Sequence, residues 1–396
     1  MEVKQIYQIM NDVTSEILGK TDLVAEDLGN IVDVGTEIFN ANAVDAYVRS
    51  LVNHIGRVIF VDRVYAGSAP SVLMDGWEFG SILEKITADQ LPEAVENESW
   101  NLEDGHSYDP HVFHAPQVSA KFYNKRVTFE IEMSFTEMQV KQSFSSVMQL
   151  NGFISMIQTS VANSMTVKLD SLVERTINKA ICDTVYDDFS TGGGAMSDLS
   201  QSSGIKAVNL LYLYNTEQTA LNPDWVNLTA AQAVKDAKFI RYAAYMIGLY
   251  KDRLSKMSCL FNIGGKERFT PAESLHVVLL SEFRRAADVF LQSDTFHDEY
   301  TKIVDSEVVP YWQGSGQDYS FANTSKIIYK IDDNSSLNFT GILGVMFDRN
   351  ALGVANMDRR VTTSYNPKGE FFNNFYKMDC GYFVDGNENA VVFFAA

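Results

Sequence analysis

The chain has 396 residues, 46% of them apolar, enough to bury the cores of two to three domains of ordinary size. Its 32 basic and 51 acidic residues leave a net charge of −19, which repels a phosphate backbone and argues against tight nucleic-acid binding. Cys182, Cys259 and Cys380 form no C-x-x-C pair, the N-terminal Met1-Glu2-Val3-Lys4-Gln5 is no signal peptide, and no apolar run reaches the roughly 18 residues that cross a bilayer, so a soluble protein of a reducing cytoplasm with no membrane partner is expected.

From Val3 the apolar residues Ile6, Ile9, Met10, Val13 and Ile17 recur at helical spacing up to Gly19, which predicts a short amphipathic arm. A second helix is expected over residues 45–53. The β-branched and aromatic run 57–65 then reads as a strand entering a sheet. Between residues 67 and 118 glycines and prolines punctuate a strongly acidic stretch that includes Glu78, Glu93, Glu96, Glu98, Glu103 and Asp104. An irregular stretch of that length is usually functional, and a projecting acidic excursion is expected. Alternation returns at Val127, Phe129, Ile131 and Met133, with Thr128, Glu130 and Glu132 on the other face, which predicts the return strand of a long hairpin.

Residues 135–186 carry the strongest helical pattern, with expected breaks near Asn151-Gly152 and Asn163-Ser164; a continuous helix over 153–186 would be about 50 Å long. Gly192, Gly193 and Gly194 read as a hinge into a new domain. There a helix is expected over 229–256, a buried strand over 275–280, a helix over 282–291, and strands over 326–331, 341–347 and 390–394.

No motif carries catalysis. Gly264-Gly265-Lys266 is followed by Glu267 where a phosphate loop needs a hydroxyl, and the 190–194 stretch has no Gly-Lys-Ser/Thr after it, so both read as turns or hinges. His106, His111 and His114 beside Asp109 match no ligand spacing, and a cytoplasmic metal-dependent enzyme built on that loop is the weaker alternative. The cysteines, in settings such as Ile181-Cys182 and Cys259-Leu260, read as structural thiols. No cofactor is expected.

The closing stretch joins Phe347-Asp348-Arg349-Asn350-Ala351, Arg359-Arg360, Asn366-Pro367-Lys368-Gly369 and the aromatic run Phe371, Phe372, Phe375 and Tyr376. Together with the runs 45–58, 281–286, 293–297 and 309–314, it resembles the tailed-phage major capsid proteins of the Hong Kong 97 fold, and in texture those of small phi 29-like podophages. The resemblance implies an α+β fold divided into an N-arm and lead-in (1–56), an E-loop hairpin (57–134), a P-domain spine helix (135–189), an A-domain (190–340) and return strands of the P-domain (341–396). It further implies a shell subunit of the virion, with no enzymatic activity, that associates with itself in hexamers and pentamers. A separate scaffolding protein and a portal would be its partners, and packaged DNA would be met only by non-specific proximity. A nanocompartment shell of the same fold is the alternative. Inter-subunit contacts are expected between the acids of the hairpin (Glu78, Glu93, Glu96, Glu98, Glu103, Asp104) and Arg284, Arg285, Arg349, Arg359 and Arg360, because guanidinium forks bind carboxylates in a fixed geometry.

Overall fold

The computed structural model describes residues 3–19, 24–25, 30–40, 46–47, 50–51, 70–74, 83–88, 94, 96–107, 111, 113, 115, 117–191, 199–292, 305–312, 326–332 and 335–396. In chain order these form helices α1 (Val3–Leu18) and α2 (Ile31–Asn40), strands β1 (Leu73–Met74), β2 (Leu83–Ala88), β3 (Val118–Tyr123) and β4 (Arg126–Thr136), and helices α3 (Glu137–Ser143) and α4 (Val147–Thr191). Then follow β5 (Ala207–Asn209), α5 (Leu210–Leu221), α6 (Ala230–Ala233), α7 (Ala237–Leu254), β6 (Leu275–Leu280), α8 (Ser281–Gln292) and β7 (Glu307–Val309). The remaining strands are β8 (Ile327–Asp332), β9 (Ser335–Phe339), β10 (Ile342–Asp348), β11 (Leu352–Asn366), β12 (Phe371–Val384) and β13 (Ala390–Phe394).

The chain divides into two compact units. The first comprises Met1–Glu78, Arg126–Leu172 and Val354–Gly381. Its sheet has the order β1-β11-β12-β4, and β4 pairs antiparallel with β12 over the whole of its length, from Arg126 opposite Gly381 to Thr136 opposite Phe371. This corrects the expectation for residues 127–133: their alternation is real, but the strand pairs with the late strand β12 and is not the return strand of the hairpin. Thr136 ends β4 and starts α3 through a reciprocal capping box with Gln139. The core of this unit gathers Met10, Val13, Val34, Ile38, Phe144, Phe372, Tyr376 and Met378. Gly35 has to be glycine, since a Cβ there would sit 2.8 Å from that of Phe144.

Helix α4 runs without a break through Asn151-Gly152 and Asn163-Ser164. Leu150, Ile154, Ile157, Val161, Met165 and Leu169 are all buried, so packing overrides the weak local propensity of Gly152.

The second unit comprises Phe79–Lys125, Val173–Gly353 and Tyr382–Ala396. Its central sheet has the order β5-β13-β10-β6-β7; β13, β10 and β6 run antiparallel to their neighbours in that row, while β5 and β7 add parallel edges. Every residue of β10 is buried, the mark of a strand covered on both faces. Phe239, Ile240, Ala243 and Ile247 bury one side of α7, and Tyr250 meets Phe393 edge-on at 5.5 Å. The helix expected over 229–256 is interrupted at Val234–Asp236, where Asp236 caps α7 by accepting from the Phe239 amide at 2.8 Å. Asn262 closes the 262–266 turn through both the amide and the carbonyl of Lys266, so the Gly264-Gly265-Lys266 run is a turn.

The strand expected over 57–65 and the glycines Gly192, Gly193 and Gly194 lie outside the described residues.

Candidate functional site

β2 and β3 form a two-stranded antiparallel hairpin, with Ile86 opposite Ala120, Lys85 opposite Lys121 and Ala88 opposite Val118. Its two faces are inverted relative to a normal surface ribbon. Ile86, Ala88, Val118, Ala120 and Phe122 point to solvent, Ile86 at 66%, Val118 at 59% and Phe122 at 63% exposure. Lys85, Thr87, Ser119, Lys121 and Tyr123 turn the other way and are half-buried. Ordinary half-buried strands put the apolar face inward.

The polar face is tied to the unit's own body by a row of contacts. Lys85 Nζ donates to Asp385 Oδ2 at 2.8 Å, to Glu388 Oε1 at 2.7 Å and to the Asn350 carbonyl at 3.1 Å. Lys121 Nζ meets the other oxygen of the same carboxylate, Asp385 Oδ1, at 3.0 Å. Arg268 reaches the Ala88 carbonyl at 2.8 Å and lies 3.7 Å from Glu388, while Tyr123 packs against Phe383 at 5.1 Å between ring centres. Burial alone would raise the Asp385 pKa, but the Lys85 ammonium, the Asn387 amide and Lys121 together hold it down at about 2. Burial, then the neighbouring Asp385 charge, pushes the Tyr123 hydroxyl well above its usual range, so it stays neutral.

Between the two strands the excursion carries Glu96, Glu103 and Asp104, all exposed, and Glu98 in a short helical turn, Glu98–Trp100. Trp100 is 95% exposed and Phe113 87%, with Leu102 beside them on the same excursion. Glu78 and Glu93 lie outside the described residues, as does His114; His106 and His111 are exposed.

The sequence matches the profile described as Phi29-like phage major capsid protein over residues 8–394. The chain belongs to that family. It is a phage major capsid protein, and it forms the head shell. No curated protein sequence matches it. Among solved structures, a chain from the head fiber and inner core protein gp22 structure of native bacteriophage P68 is similar at a TM-score of 0.50 and 9% identity, over 84% of this chain and 86% of that one. A chain of the Staphylococcus phage Andhra capsid follows at 0.46 and 10%, over 84% and 85%, and one of the cyanophage P-SCSP1u capsid at 0.45 and 11%, over 82% and 86%. The fold of the capsid subunit is the α+β, Hong Kong 97-like one that the resemblance implied.

In the capsid subunit the five candidate arginines have different surroundings. Arg285 and Arg349 are exposed. Arg284 is engaged along its own helix by Asp288 at 3.2 Å and donates to Ser306 at 3.0 Å. Arg360 forms an ion pair across the sheet with Asp379 at 2.8 Å, and Asp379 also accepts from Thr128 at 2.6 Å. Burial raises the Asp379 pKa less than Arg360 and Thr128 lower it, so it stays ionised. Arg359 is half-buried, and that burial lowers its pKa. Cys182 and Cys380 are buried, and burial pushes the Cys182 thiol up to about 12. Cys259 is exposed, a departure from the apolar setting read for it.

Sequence reasoning missed the Lys85, Lys121, Asp385 and Glu388 cluster. Its signals were a lysine in each of two short strands and the turn Asp385-Gly386-Asn387-Glu388-Asn389 inside a buried stretch, but nothing local joins residues some 264 to 303 positions apart.

Proposed function

We propose that the subunit closes an icosahedral or prolate head around double-stranded DNA as hexamers and pentamers of one chain, assembled in the host cytoplasm with a separate scaffolding protein and a portal, and that its role is structural rather than catalytic. The single observation that supports a contact made through the hairpin is the outward apolar face of β2 and β3. Covering Ile86, Val118 and Phe122 with a neighbouring subunit would contribute on the order of 1.5–3 kcal/mol for each side chain fully buried, against about 0–1 kcal/mol for an exposed ion pair. The apolar face therefore supplies the larger share of the contact. The acids Glu78, Glu93, Glu96, Glu98, Glu103 and Asp104 steer it toward cations of the neighbour, of which Arg285 and Arg349 are the exposed candidates. Arg284, Arg359 and Arg360 serve second, since Arg284 and Arg360 already hold carboxylates of their own chain and Arg359 is half-buried. The five segments of the expected domain division are the parts through which this would work, with Gly192 to Gly194 as the hinge.

The test is Ile86→Glu with Phe122→Glu, followed by light scattering and negative-stain microscopy with co-expressed scaffolding protein. Folded subunits that no longer form closed shells are expected. Shells of normal size from the double variant would exclude this face as an inter-subunit contact.

A further inference from the structure

Charge ties the hairpin to its own unit through Lys85 and Lys121. Lys85 and Lys121 are direct cross-strand partners on one face, and like charges so placed repel each other and open the pair. One carboxylate resolves this: Asp385 gives one oxygen to each ammonium, at 2.8 Å and 3.0 Å. Asp385 is itself fixed, because its side chain is 1% exposed and accepts from the Asn387 amide at 3.0 Å. Glu388, held also near Arg268, and the Asn350 carbonyl complete an oxygen cage around the Lys85 ammonium. The same carboxylate thus joins the two strands to each other and to the 385–389 turn, while Ile86, Val118 and Phe122 on the opposite face stay exposed.

We propose that Asp385 and Glu388 form an ammonium socket, and that Lys85 and Lys121 plug into it to hold the hairpin as a charge-latched strap in one pose. Beside the latch, the described ties include Arg268 to the Ala88 carbonyl, Tyr123 against Phe383, and the Tyr382 amide to the Lys125 carbonyl at 3.2 Å, none of which engages both strands as Asp385 does. The two lysines are unequally sheltered, Lys121 at 41% and Lys85 at 18% exposure, while the carboxylate between them is 1% exposed, so salt screens the latch only weakly.

The experiment is amide hydrogen exchange on the full-length, unassembled subunit, reading β2 and β3 against the buried strands β10 and β13. In Asp385→Asn, exchange in β2 and β3 is expected to rise about ten-fold or more, with β10 and β13 unchanged. Lys85→Met with Lys121→Met removes the repulsion along with the latch, so the strand pairing keeps its protection while the Ala88 and Lys125 ends lose theirs. Unchanged exchange in a folded Asp385→Asn subunit would overturn the proposal. Should that variant fail to fold, Glu388→Gln decides, since it removes one of the two acids of the socket and leaves Asp385 in place. Exchange in β2 and β3 that rises several-fold in the folded Glu388→Gln subunit supports the latch, and unchanged exchange refutes it. Because these readouts need no shell, they fail separately from the assembly test above.

Discussion

The β2–β3 hairpin and the five-stranded sheet belong to the same unit, yet they solve the problem of apolar surface in opposite ways. In the sheet every residue of β10 is buried and the neighbours β6 and β13 bury four of their residues each, so the strands are satisfied within one chain. In the hairpin Lys85 and Lys121 face the chain, while Ile86, Val118 and Phe122 face out. A folded monomer pays a solvation penalty for such an arrangement unless something else covers it, and the contact proposed above would place a neighbouring subunit there. On that proposal the contrast separates residues that make the subunit from residues that would join subunits.

The strongest way to break this contrast is Phe393→Ala in β13. It is expected to cost about 3–5 kcal/mol in denaturant unfolding, because the side chain is wholly buried against Tyr250. A loss under 1 kcal/mol would mean that the sheet is no more self-contained than the hairpin. Acid comes next. Asp385 is held at about 2, below its ordinary 3.8, so its contribution is complete above the ordinary value and is lost as pH falls through about 2. The loss of stability between pH 5 and pH 2 is expected to be about 1–2 kcal/mol smaller in Asp385→Asn than in the unaltered subunit, after allowance for solvent screening of the lysines. Arg360→Ala should cost about 1 kcal/mol, as it leaves the nearly buried Asp379 with the Thr128 hydroxyl and the charge of Arg126. Smallest of all is the effect of Ile86→Glu with Phe122→Glu on the stability of the isolated subunit, within about 0.5 kcal/mol by the same unfolding measurement. A large loss there would show that the face is already covered within the chain.

Much of the local structure was legible in the sequence. The arm helix, the strands at 275–280, 342–348 and 390–394, and the helix after residue 281 follow from periodicity and caps, since each is dictated by its own residues. Partnership was not legible. Alternation in 127–133 shows that one face is buried but not against which strand, and β12 is more than 230 positions away. The continuity of α4 through Asn151-Gly152 was hidden for the same reason, as distant side chains cover Leu150 and Ile154. The acids of the excursion drew the eye by number, whereas the decisive feature was which face of a short ribbon carried two lysines.

Both sheets place a late strand in an interior position: β12 lies between β11 and β4, and β13 lies between β5 and β10. The four-stranded sheet cannot close before β12, nor the five-stranded one before β13, has left the ribosome. A nascent chain therefore holds β1, β4 and β5 without their sheet partners through nearly all of translation, and contacts of such long sequence separation close slowly. Shell formation is thereby timed to completed subunits, and chains stalled upstream of β12 have no finished sheet with which to enter and poison a growing lattice.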